Sequence, residues 1–64
     1  MSLDAELGSL SSTIDGLVQR VGDLARTTEG HATDDVSVGL YDVERSLSAA
    51  SRRLGRILRD LERR

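Results

Sequence analysis

Apolar residues recur along two stretches of the chain at alternating steps of four and three. In the second stretch, residues 34–63, they are Val36, Leu40, Val43, Leu47, Ala50, Leu54, Ile57 and Leu61. In the first they are Leu3, Leu7, Leu10, Ile14, Leu17, Val21 and Leu24, with Thr28 closing the series. Such a spacing predicts a helix buried along one stripe against other helices. Lettering each heptad a to g, position a holds Leu7, Ile14, Val21 and Thr28, then Leu40, Leu47, Leu54 and Leu61. Position d holds Leu3, Leu10, Leu17 and Leu24, then Val36, Val43, Ala50 and Ile57. No proline interrupts either series. At ~1.5 Å rise per residue the second helix would be ~45 Å long, too long to be supported by a small globular core.

The stop and start signals agree with the periodicity. Ser2 is a candidate N-cap, with Asp4 and Glu6 in the first turn to complement the helix dipole. Gly30 suits a C-terminal cap of positive φ. Thr33 or Asp34 suits the next N-cap. The boundaries expected are helix 1 over about 3–28, a turn over about 29–33 and helix 2 over about 34–63. A connection this short makes the helices antiparallel neighbours, and the two seams match end to end. Intrinsic propensity is weaker in helix 1, where Gly8, Gly16, Gly22 and the run Ser11-Ser12-Thr13 each lower it.

The positions beside the seam add a second expectation. In a simple two-stranded coil the e and g sites usually carry charged pairs. Here position e holds Asp4, Ser11, Val18 and Ala25, then Ser37, Glu44, Ser51 and Leu58. Position g holds Glu6, Thr13, Arg20 and Thr27, then Gly39, Ser46, Arg53 and Asp60. More than half are small or apolar, which lets helices approach closely and lets a second contact face form. Leu at every a position of helix 2, with β-branched residues or Ala at d, shifts parallel coils toward four strands. The fold class expected is therefore all-α: an antiparallel two-helix hairpin of coiled-coil type, dimerising into a four-helix bundle, with a tetramer as the alternative. The seam residues expected to carry self-association are Leu7, Leu10, Ile14, Leu17, Val21, Leu24, Leu40, Val43, Leu47, Leu54, Ile57 and Leu61.

Composition sharpens that expectation. Sixty-four residues make one domain at most, and a marginal one. The chain has no Cys, Phe or Trp and one Tyr, so no disulfide staples it and the core must be aliphatic. Oligomerisation is the remaining means of stabilisation. Net charge is −2, but it is divided. Residues 1–35 carry seven carboxylates against two arginines, net −5, and residues 36–64 carry seven arginines against four carboxylates, net +3. The N-terminus has neither a basic stretch nor an apolar run, and no window approaches a membrane span, so a cytoplasmic protein without membrane partners is expected.

Candidate chemistry is sparse. Arg45, Arg52 and Arg59 fall seven apart in one outer row, with Arg56 and Arg63 beside it. Such a stripe suits an acidic partner or phosphate, or simply a solvated face with cations near a helix C-terminus. Nucleic-acid readers usually add aromatic or amide side chains. This chain has one Gln, no Asn and only Tyr41, so nucleic acid is the disfavoured partner. Tyr41, one position past Leu40, should cover the edge of the core near the turn, or anchor a partner. His31 is the sole histidine and is expected to be an exposed turn residue. One imidazole with scattered carboxylates makes neither a metal site nor a catalytic triad. No glycine-rich loop follows a strand. No cofactor, metal or enzymatic activity is expected.

In length and layout the chain resembles the plasmid RNA-binding hairpin dimers of the Rop type, whose interaction face relies on residue types scarce here. It is also similar in layout to the small helical hairpins exported by type VII secretion. Those carry a Trp-x-Gly turn, where this chain reads Glu29-Gly30-His31. The function expected is a small, non-enzymatic, self-associating interaction or assembly module that binds itself and another protein. The alternative is a Rop-like nucleic-acid-binding dimer using the arginine face of helix 2.

Overall fold

A computed structural model describes residues 2–30 and 34–64. It consists of two long helices, α1 (Leu3–Thr27) and α2 (Asp34–Glu62), joined by a short turn. Each helix ends one residue before the expected boundary. His31 and Thr33, read from the sequence as an exposed turn residue and a candidate cap, lie outside the described residues.

The start of α1 keeps the expected cap residue and first-turn acids, Asp4 and Glu6, without the expected capping bond. Ser2 occupies the N-cap position in extended conformation, but its side chain makes no capping bond. Its hydroxyl donates instead to the Asp4 carboxylate, which also accepts the Ala5 N–H at 3.0 Å. Asp4 thus takes the Ala5 amide, one of the unpaired N–H groups of the first turn. The Ser2 hydroxyl, and then the Ala5 amide, hold the Asp4 carboxyl below its ordinary value. At the other end, the last carbonyls of α1 find local partners, as helix termini require. The Thr28 N–H donates to Leu24 O at 3.1 Å, and the Thr28 hydroxyl donates to Leu24 O and Ala25 O at 3.0 Å each. Gly30 follows with φ +74°, the left-handed region that glycine enters without steric cost. Its N–H donates to the Asp34 carboxylate at 2.7 Å, linking the turn to the first residue of α2.

The helices run antiparallel, and they meet on a different pair of positions from the expected one. Within the hairpin the facing rows are a and e. The a residues Leu7, Ile14, Val21, Leu40, Leu47, Leu54 and Leu61 are half-buried. Beside them, the e residues Ala25 and Ser37 are the most enclosed side chains, 0% and 4% exposed. The Ser37 hydroxyl crosses the interface to donate to Ala25 O at 2.8 Å. Small side chains at Ser11, Ala25, Ser37 and Ser51 explain the choice: they let the helices approach where Leu at d would hold them apart. The d residues Leu10, Leu17, Leu24, Val43 and Ile57, assigned with a to one buried stripe, are uncovered.

The result is a flat rod of 50 × 17 × 11 Å. Its radius of gyration is 14.9 Å, against about 10.7 Å for a compact chain of this length. Its accessible surface is 4774 Å², where a compact monomer of this mass exposes about 4,000 Å². No large side chain is fully buried among the described residues.

Candidate functional site

A step of three residues falls short of a helical turn and a step of four overshoots it, so d and e flank a on opposite sides. With a and e turned toward the sister helix, d emerges on one broad face of the hairpin and b on the other. Chain reversal also reverses the apparent winding, so both d rows emerge on the same face. A shallow depression lined by Leu3, Leu7, Ile57, Asp60, Leu61 and Arg64 joins them: Leu3 and Ile57 are d residues from opposite helices.

This face is where the apolar exposure concentrates. Leu3 (63%), Leu10, Leu17, Leu24, Val36, Val43 and Ile57 (52%) are seven of the eight large hydrophobic residues that stand exposed among the described residues, and all seven are at d. Val38 is the exception. Ala50, the remaining d residue, is half-buried and leaves a low point among larger neighbours. Monomers rarely leave so continuous an apolar surface in water unless it meets a partner.

The opposite face is polar and finished by local bonds. The Ser51 hydroxyl donates to the Asp15 carboxylate. The Tyr41 hydroxyl donates to Glu29, and Tyr41 is half-buried at the turn end of the rod, bonded to a residue just past the end of α1. That bond, then burial and the nearby carboxylate charge, raise the Tyr41 phenol above its ordinary 10.0. Glu44 lies across Gly22, where a Cβ would meet the Glu44 carboxylate and, at 3.4 Å, the Arg26 guanidinium. A side chain at Gly22 would push the Glu44 carboxylate, the flexible end of that residue, out of its present place.

The arginines separate into groups. Arg45 pairs with Asp42 of its own helix at 3.2 Å, on an exposed surface. Arg63 lies just past the end of α2, its N–H donating to Arg59 O at 3.2 Å. Arg52, Arg56 and Arg59 line one open notch with Ser11, Ser51 and Gly55, of about 560 Å³. The sequence pattern marked the arginines but not Ser11, Ser51 or Gly55. Their signal was present in the small residues at e and b, which open a gap beside the helix contact.

Among the described residues no group of three His, Cys, Asp or Glu side chains is arranged to hold a metal ion. No described helix is long and apolar enough to cross a membrane. Comparison of the chain with protein-family models, with curated proteins and with solved structures finds no match.

Proposed function

We propose that this chain is a non-enzymatic assembly module in which two hairpins pair through their apolar d faces into a four-helix bundle, presenting their polar faces to another protein. The observation that carries this reading is the segregation of exposed aliphatic side chains: among the described residues, seven of eight lie on one face. The size of the face supports a second copy as its occupant. The hairpin's 50 × 17 Å extent bounds that face at roughly 850 Å² per copy, the scale of the ~800 Å² per partner of a standard stable interface. Two such faces are also equal in length and chemistry, as a two-fold interface requires. Ala50, flanked by larger aliphatics, gives a low point into which a Leu of the second copy fits. A tetramer would need a further apolar face, and the b face is polar.

Thermal unfolding followed by circular dichroism tests this. Because association stabilises by mass action, the midpoint rises with protein concentration for a dimer. A midpoint independent of concentration over a hundredfold range would defeat the proposal.

A further inference from the structure

We infer that the notch formed by Ser11, Ser51, Arg52, Gly55, Arg56 and Arg59 binds an acidic helical segment of a partner protein, whose carboxylates are taken by the three guanidinium groups. This rests on the assembly reading only in requiring that the notch stay outward when two copies pair. Its place beside the b and e rows, away from the d face, satisfies that.

Three features point to a ligand. Arg52, Arg56 and Arg59 stand at steps of four and three, so their side chains share one side of α2 and repel one another. The ion pairs among the described residues are Arg26 with Asp23 and Arg45 with Asp42. Among the described residues no ion pair within 4 Å joins a carboxylate to the three notch arginines, although Asp60 is four residues beyond Arg56 and Glu62 three beyond Arg59. Cations that complement a helix dipole belong in its last turn, and of the three only Arg59 lies there. Arg52 and Arg56 need another reason to stand together. Between the arginines and Ser11 the chain supplies Gly55 and the hydroxyl of Ser51, so the notch has a low floor of about 560 Å³ in total with polar atoms at its base.

The chemistry favours carboxylates on a protein over a nucleic acid. The guanidinium fork matches a carboxylate in two parallel hydrogen bonds. Seven residues of helix span ~10.5 Å, so glutamates at the same steps of four and three on a partner helix meet all three arginines in register. A nucleic-acid strand running on along α2 would meet Asp15, bonded to Ser51 at the notch edge, and then Asp60 and Glu62. It would find no aromatic ring to stack on, since Tyr41 lies at the opposite end of the rod.

Fluorescence anisotropy provides the test, with the full chain titrated into a labelled alanine-based helical peptide carrying Glu at steps of four and three. Binding is expected at low salt, weakening as salt rises. Arg56→Gln is expected to weaken it about tenfold, as loss of a charge-assisted hydrogen bond does, and Arg45→Gln to leave it unchanged. Sedimentation of the same samples separates this from the pairing proposal. A dimer that fails to bind the peptide, or binds it equally with Arg56→Gln, overturns the notch alone. A monomer that binds it with the same Arg56→Gln loss supports the notch and counts against pairing. An RNA or duplex DNA oligonucleotide that binds more tightly than the peptide, with the same dependence on Arg56, overturns the assignment of the partner as acidic protein.

Discussion

The two broad faces of this hairpin are made by the same two helices, yet they differ in almost every property. One carries Leu3, Leu10, Leu17, Leu24, Val36, Val43 and Ile57, all exposed. The other carries hydroxyls and carboxylates that bond to one another, Ser51 to Asp15 and Tyr41 to Glu29. Between them the a and e rows close the hairpin, with Ala25 at 0% exposure as its most enclosed hydrophobic residue. The contrast teaches that a heptad pattern names which residues want shelter and not which neighbour supplies it. Here one hydrophobic row is half-sheltered within the chain, and a second stands exposed.

Substitutions can break that contrast in order of expected size. Leu47→Asp, in the middle of the row between the helices, places a charge where neither face can solvate it and should cost several kcal/mol. Loss of the helical circular dichroism signal is expected; a variant that keeps full helicity would mean the a row is not the hairpin's core. Leu17→Asp tests the apolar face. Removing a large aliphatic group from a shared interface should cost roughly 2–3 kcal/mol per copy, read as dissociation at concentrations where the parent chain is paired. An Asp at the exposed polar residue Ser12 should leave association unchanged, and equal effects at the two sites would erase the distinction between the faces.

Smaller effects sharpen the comparison. Gly16 is exposed, and a Cβ there meets nothing within 4 Å. Gly16→Ala should therefore add about 1 kcal/mol of stability through helix propensity, seen as a higher unfolding midpoint at unchanged oligomeric state. Gly22→Ala should gain less, because the Glu44 carboxylate must swing aside.

The smallest effect expected is at Tyr41. Its phenol is raised by donating to Glu29, so the contact contributes stability fully below the unfolded phenol's value near 10 and loses it as pH rises through the folded value. Ultraviolet titration should place the folded midpoint above that of the denatured chain. Glu29→Gln should bring it back toward 10; no movement would show that Glu29 is not the acceptor.

Much of the architecture was legible in the sequence. The four-three spacing gave both helices to within a residue at the ends, and Gly30 takes the positive φ its position suggested. The small residues at e were read as allowing close approach, and Ala25 and Ser37 are the most enclosed side chains between the helices. Which row faces inward was not legible, because Leu, Val and Ile at d satisfy the periodicity as well as those at a. The decision falls to side-chain volume at e, a difference of packing that hydrophobicity does not encode. The site was legible in part. Arginine spacing marked Arg45, Arg52, Arg56, Arg59 and Arg63 alike, but only three of the five converge. The notch they share is closed by Ser11 from the other helix, some forty residues distant in sequence.

The account's central claim is that the d face is covered by a second copy of the same chain. Sedimentation equilibrium at micromolar concentration measures this without a label or a substitution. The expected result is a species of twice the 7.0 kDa chain mass that dissociates on dilution. A monomer of full helicity at the same concentration would contradict it.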